Sequence, residues 1–308
     1  MISVKNLTKE FETVTAVENI SFDINEGEIF GFLGPNGAGK TTTIRILSTL
    51  ISPTSGNISI DGKDPKTDGE HIRSIIGLLT ESPGLYEKIS AYANLDYFSS
   101  FYDMPDKHRK ANIEKYLKMF GLWQRKDDLA GTYSKGMKQK LALTRALIHE
   151  PRILFLDEPT AGLDPESAHM VRSFIQSLKK EKITVFLCTH NLLEASSLSD
   201  RICFIKKKII RIASLGELQN HDKHRKVEIV FGDDAKRFIP VLKGIKNILE
   251  VVDTNKNKAI LLVDEPENSN PGIIRELILN DVDILYLNEI KASLEEIYLD
   301  LIKDEETE

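Results

Sequence analysis

Long apolar runs are missing from this chain of 308 residues. No uninterrupted stretch approaches the roughly 18 apolar residues that a membrane-spanning helix needs. Met1 to Glu10 lacks the apolar core of a signal peptide. Both absences point to a cytoplasmic chain. Cysteine is scarce, with only Cys188 and Cys203. Each sits in a short apolar run, Thr184 to Thr189 and Arg201 to Ile205, and no CxxC pair exists. That disfavours a zinc or redox role and predicts two buried, reduced thiols acting as small hydrophobes. An excess of positive charge is also missing. The net charge is -6, which disfavours a broad nucleic-acid surface. There is no internal repeat and no low-complexity segment. What remains is ordinary for a globular protein, 41% hydrophobic and 29% charged, with length enough for two domains.

The most informative stretch is Gly34-Pro35-Asn36-Gly37-Ala38-Gly39-Lys40-Thr41, which fits G-x-x-x-x-G-K-[ST]. The apolar run Glu28 to Leu33 precedes it as a buried strand would, and Thr42 to Leu47 can continue it as a helix. Strand, glycine loop and helix form the context a phosphate-binding loop needs, because a helix N-terminus presents free N–H groups to an anion. Glycines let the backbone wrap phosphate oxygens. Lys40 would bridge the β- and γ-phosphates, and the Thr41 hydroxyl would ligate Mg²⁺.

Strands are expected at Ile2 to Leu7, Ala16 to Ile24, Ile58 to Asp61 and Ser74 to Thr80. From Ser90 to Leu122 the pattern is helical, and the stripe Leu95, Phe98, Phe101 and Tyr102, like Trp123, reads as core packing. Helices follow at Lys135 to His149 and Pro165 to Lys180, with buried parallel strands at Ile153 to Leu156 and Ile183 to Cys188. Strands alternating with helices imply an open parallel α/β sheet. The composition shifts after about Leu218, and Asn220 to Lys226 is a charged linker candidate. Beyond it the order is strand (Val227 to Phe231), helix (Asp234 to Leu242), strand (Asn247 to Val252), strand (Lys258 to Val263), helix (Pro271 to Asn280) and strand (Asp283 to Leu287). That is the βαββαβ plan of a ferredoxin-like α+β domain. A last helix is expected from Ser293 to about Ile302. The predicted domains are 1–218, with a helical subdomain at about 82–150, and 219–308.

Ile153-Leu154-Phe155-Leu156-Asp157-Glu158 is an apolar strand that delivers two carboxylates to the ligand edge of such a sheet. Asp157 is positioned to hold Mg²⁺ through water, and Glu158 to polarise an attacking water as general base. With these residues in place, Met1 to about Leu218 resembles the ATP-binding subunit of an ABC transporter, a P-loop NTPase. Ala161-Gly162-Leu163-Asp164 matches the family's D-loop, and His190 its switch histidine, which implies a γ-phosphate contact. Tyr133-Ser134-Lys135-Gly136-Met137 stands where the family has its signature motif, and Phe11 where it has an aromatic that stacks on adenine.

Two departures stand out. The usual signature is Leu-Ser-Gly-Gly-Gln; this chain keeps Ser134 and Gly136 but has Tyr133, Lys135 and Met137 at the other positions. Met137 cannot hydrogen-bond a ribose as glutamine would. Lys135 either adds a cation near the site or points to solvent. Glu81 stands where the family has glutamine, and keeps a hard oxygen for Mg²⁺ while adding negative charge.

The resemblance implies ATP and Mg²⁺ as ligands and a head-to-tail dimer, of identical copies or with a paralogous ATPase. In it Ser134 and Gly136 of one copy close over the ATP of the other. It also implies a separate membrane permease, a peripheral place on the cytoplasmic membrane face and no nucleic-acid partner. The second domain is similar to C-terminal extensions of ATPases paired with export-type permeases. Pro83-Gly84-Leu85-Tyr86 reads as a docking turn or as packing within the domain. The alternative function is a soluble ATPase of the same class acting on nucleic acid or ribosomes. A regulator that binds nucleotide without turnover is the third reading.

Overall fold

The computed structural model describes residues 1–219, 224–290 and 293–307. They form two compact units, Met1–Ser214 and Leu215–Glu308, dividing a few residues before the sequence boundary at Leu218.

The first unit opens with β1 (Ile2–Phe11), β2 (Val14–Ile24) and β3 (Ile29–Leu33), then α1 (Lys40–Leu47) and β4 (Ser55–Ile60). Next come α2 (Gly69–Ile75), β5 (Ile76–Leu79), α3 (Ala91–Ser99), α4 (Asp106–Met119) and α5 (Lys135–Leu147). It closes with β6 (Ile153–Asp157), α6 (Pro165–Ser177), β7 (Thr184–Thr189), α7 (Leu192–Leu198), β8 (Arg201–Lys206) and β9 (Lys208–Ser214). A six-stranded sheet runs β5-β6-β7-β3-β8-β9, and a three-stranded antiparallel sheet runs β2-β1-β4.

β3, β6 and β7, in the middle of the large sheet, are buried along their whole length, so their residues divide by parity between two cores. On β6 and β7, Ile153, Phe155, Phe186 and Cys188 pack with the antiparallel sheet and α1. Leu154, Leu156, Val185 and Leu187 pack with α3, α4, α5 and α6. Phe22, Phe30, Phe32 and Phe186 stack in the first of these cores with ring centroids 5.0–6.0 Å apart. Both cysteines are buried free thiols, as expected. Burial pushes both thiols' pKa values up, which keeps them protonated.

Several expectations need correction. Ser74 to Thr80 is not one strand: α2 runs to Ile75, and only Ile76 to Leu79 pair with β6, Ile76 opposite Ile153. Apolar residues at a helix end and a strand start read as a single run, and only the partner strand fixes the break. The antiparallel edge strand β9 is not among the strands the sequence pattern predicts; its hairpin with β8 turns at Lys207, in the left-handed region at φ 64°. The aromatic stripe also divides. Leu95 is core, but Phe101 is 68% exposed, and Tyr97 beside it is also exposed.

The second unit contains α8 (Leu215–Gln219), β10 (His224–Phe231), α9 (Ile239–Gly244), β11 (Ile248–Asn255) and β12 (Lys258–Asp264). It ends with α10 (Pro266–Leu279), β13 (Ile284–Ile290) and α11 (Leu294–Thr307). The sheet order β11-β12-β10-β13, all antiparallel, is that of a ferredoxin-like fold. Its core gathers Val227, Ile229, Phe231, Leu261, Val263 and Ile273. The proposed linker overlaps β10, which starts at His224; residues 220–223 lie outside the described residues. Charged strand residues there are matched across the fold, as Arg225 is by Glu289 at 2.8 Å and by Glu267. The helix expected from Pro271 starts at Pro266 and carries Pro271 inside it.

Candidate nucleotide site

The parallel register brings three strand ends to one edge. Leu33 of β3 pairs with Thr189 of β7, and Asp157 of β6 pairs with Cys188. The loops after these strands carry Gly34 to Lys40, Glu158 and His190. Such an edge, where the chain leaves the C-terminal ends of parallel strands, is where open sheets bind ligands.

The glycine loop needs its glycines. A Cβ on Gly34 would lie 2.2 Å from the Ile205 carbonyl oxygen, and one on Gly39 2.6 Å from that of Ala16. Gly39 also has φ 101°, open to glycine and strained for other residues. Lys40 is 6% exposed and folds back over the loop. Its Nζ donates to Gly34 O at 2.7 Å and Pro35 O at 3.1 Å, and lies 3.8 Å from Glu158 Oε1.

The Thr41 hydroxyl donates to Asp157 Oδ2 at 2.8 Å. Asp157 is 2% exposed. Burial raises its pKa and Thr41 opposes; Glu158 and Glu81 raise it further, and Lys40 lowers it. A buried carboxylate beside a hydroxyl and a second acid is a hard-oxygen set in need of a cation. Among the described residues no group of three His, Cys, Asp or Glu could hold a metal ion by itself. The arrangement fits Mg²⁺, which binds through one or two protein oxygens plus substrate phosphates.

Glu158 sits in the left-handed region at φ 49°, strain that its neighbours offset. Its Oε1 accepts the His190 backbone N–H at 2.9 Å and lies 2.8 Å from His190 Nδ1. Its Oε2 accepts the Thr189 hydroxyl at 3.3 Å.

A cleft of about 500 Å³ joins these groups. Asn36, Gly37, Gly39, Lys40, Thr41 and Thr42 line it together with Glu81, Asp157, Glu158 and His190. Gly34 and Ala38 back the loop without lining it. Phe11 does not line the cleft either. It pairs with Val14 at the tip of the β1–β2 hairpin, half exposed, with the Lys9 ammonium 4.9 Å from its ring centroid. Val14, Thr15 and Ala16 of the same hairpin line the cleft instead. Nothing in their sequence marks them, since small hairpin residues carry no motif.

Ser134, Gly136 and Asp164 gather elsewhere and line no part of this cleft. Ser134 caps α5, accepting Met137 N–H at 3.3 Å, and Asp164 caps α6, accepting Ser167 N–H at 2.9 Å. A Cβ on Gly136 would sit 3.6 Å from Asp164 Oδ2. Lys135 lies across Gly162 of its own chain, so close that a Cβ there would meet its Nζ at 2.0 Å. Gln139 Nε2 donates to Pro159 O at 3.1 Å, tying α5 to the loop after Glu158.

Comparison with known proteins gives the family. The family model described as ABC transporter matches residues 17–161. A bacitracin transport ATP-binding protein of Bacillus licheniformis is 34% identical over 322 residues, covering 98% of this chain and 97% of its own. A fluoroquinolones export ATP-binding protein of Mycobacterium tuberculosis is 37% identical over 238 residues, covering 76% and 78%. The fold matches the dimeric post-hydrolysis state of an ATP-binding cassette bound to ADP and Pi. The TM-score is 0.65 at 27% identity, over 70% of this chain and 99% of that one. The chain belongs to the ABC transporter family, as an ATP-binding subunit that hydrolyses ATP.

Proposed function

We propose that two copies of this chain, or one copy and a paralogue, close head to tail around two ATP molecules and drive a separate membrane permease. The observation that carries this reading is the separation of two clusters. The cleft with Lys40, Asp157, Glu158 and His190 lacks Ser134, Gly136 and Asp164, which stand together at two capped helix starts. A half-site and its complement on one chain make two full sites in a head-to-tail pair.

In each site Lys40 would leave the Gly34 and Pro35 carbonyls for the β- and γ-phosphates. Thr41, Asp157 and Glu81 would hold Mg²⁺, which neutralises phosphate charge when bound. Glu158 would take a proton from the attacking water while His190 holds its carboxylate in place. The partner's cluster, Ser134 and the Gly136 N–H at the positive end of α5, would stabilise the γ-phosphate. Phe11 would meet adenine at the cleft mouth. Hydrolysis removes the bridging contacts and opens the pair.

For the permease we assign an aromatic ladder in the helical region. Tyr86 meets Tyr97 edge-on at 5.3 Å, and Tyr97 meets Phe101 at 5.1 Å. All three are exposed, and aromatic side chains of this kind anchor interfaces. No helix among the described residues is long and apolar enough to cross a membrane. Work on cargo therefore falls to the permease, and the chain would sit peripherally on the cytoplasmic membrane face. Export is the favoured direction, because a relative is named for fluoroquinolones export. The second unit would support the pair or regulate it.

The test is capture of tagged Glu158→Gln from native membranes with ATP. Stoichiometric recovery of a multi-span membrane protein is the expected result. Recovery of ribosomal or DNA-bound proteins alone would replace this reading with the soluble alternative.

A further inference from the structure

Glu158 sits in a backbone conformation that costs energy. Its φ of 49° lies in the left-handed region, and the proline that follows it narrows its backbone choices further. The peptide groups around it are each held. Glu158 N–H donates to Cys188 O of β7 at 2.9 Å, and Glu158 O accepts Ala161 N–H at 3.2 Å. The next carbonyl belongs to Pro159, which is buried. Among the described residues its hydrogen-bond donor is a side chain, Gln139 Nε2, at 3.1 Å.

Gln139 lies in α5 and is 5% exposed. A buried carbonyl that loses its donor carries a penalty of the same order as the strain of a left-handed residue other than glycine. The bond is therefore large enough to decide whether Glu158 keeps its conformation. One residue further on, Thr160 is fastened by its side chain, its hydroxyl donating to Glu194 Oε1 at 2.8 Å. Gln139 holds the main chain itself, directly beside the glutamate.

We propose that Gln139 is a positioning residue of the hydrolytic centre, whose amide holds the Pro159 carbonyl and so keeps the Glu158 backbone in the left-handed conformation that presents its carboxylate to the cleft. The proposal rests on Glu158 being the general base. Gln139 lines no part of the cleft, so its effect on turnover passes through Glu158. Without the bond the Pro159 carbonyl turns to find another donor. Rotation about Glu158 then carries its Oε1 away from the His190 N–H and Nδ1, which it meets at 2.9 and 2.8 Å. The glycine loop and Lys40 are not bonded to Gln139, and they keep their grip on nucleotide.

Steady-state phosphate release and equilibrium ATP binding by the full chain test this. Gln139→Met keeps the length of the side chain and removes the donor. It should lower kcat about fivefold to tenfold, the loss of one hydrogen bond, while KM and the Kd for ATP stay within about twofold. Gln139→Asn keeps the amide but not its reach and should behave alike, so a folding defect in either variant does not decide the result. In a Glu158→Gln background, Gln139→Met should cost no further turnover, because the group it positions is gone. An unchanged kcat, an equal loss in kcat and in ATP affinity, or the same further loss in the Glu158→Gln background would overturn the proposal. Glu158→Gln alone separates the two readings: if it turned over normally, the assignment of the base would fail, whatever Gln139 does.

Discussion

Glu158 Oε1 accepts the backbone N–H of His190 and lies within hydrogen-bond distance of its Nδ1, at 2.9 and 2.8 Å. Glu158, the proposed general base, and His190, the proposed γ-phosphate contact, are therefore held together as a pair. The pairing keeps Glu158 in its left-handed conformation and points its carboxylate across the cleft toward Lys40. Glu158→Gln keeps the size of the side chain and removes the proposed base. It should bind ATP normally and lose about 10²- to 10⁴-fold in turnover. Phosphate release beside equilibrium ATP binding checks both halves.

Asp157 gives a second expectation, because its folded pKa is raised by burial. The sign follows from linkage. A carboxyl with a raised folded pKa adds stability that is fully present below its unfolded value near 3.9 and is lost as pH rises through the folded value. At neutral pH the free protein thus carries a buried charge. Asp157→Asn should raise the Tm of the nucleotide-free protein at neutral pH and abolish Mg²⁺-dependent hydrolysis. Thermal unfolding with and without Mg²⁺-ATP reads it, with the ligand-induced rise in Tm reduced in the variant.

His149 sets a separate pH limit on the fold. Its ring stacks on Tyr102 with centroids 3.8 Å apart, and its Nε2 lies 2.8 Å from Ile76 O. Burial lowers its pKa to about 4, against a weaker opposing effect of the Ile76 carbonyl. The unfolded chain takes up the proton near pH 6.5 and the folded chain only near 4. Stability must therefore fall with pH across that window, by up to about 3 kcal/mol. His149→Gln should flatten the slope, measured by urea unfolding between pH 7 and pH 4.

Gly34 tests the loop packing. Alanine there would drive a Cβ into the Ile205 carbonyl. Gly34→Ala should cost about 1–3 kcal/mol of stability and weaken ATP binding, seen as a lower Tm and a higher Kd.

Much of the site was legible because its chemistry is local in sequence. The glycine loop, the two carboxylates ending β6 and the histidine after β7 each announce themselves by residue type and spacing. Their convergence follows from a parallel sheet whose strand ends align. The order of elements in the second unit was legible for the same reason, since turns separate its apolar runs. Other features depend on partners that spacing does not show. The Ile75–Ile76 break needs β6, and β9 needs its hairpin with β8. Phe101 carries the same helical spacing as Leu95 and yet faces solvent. Glu194 sits four residues beyond His190 with no motif to mark it, and only the structure shows it buried and bonded to Thr160. Lys135 required the structure as well, which lays it over Gly162 of its own chain.

The composite site is the centre of the account, and mixing two inactive variants tests it most directly. Lys40→Ala removes the phosphate grip of its own cleft, and Ser134→Phe blocks the cluster offered to a partner. Each variant alone should hydrolyse almost no ATP. A mixture should recover activity, because a mixed pair has one site with an intact cleft from the Ser134→Phe copy and an intact cap from the Lys40→Ala copy. Recovered hydrolysis that peaks near an equal mixture is the predicted result. Full activity in Ser134→Phe alone, or no recovery on mixing two folded variants, would contradict a site shared between two copies of this chain.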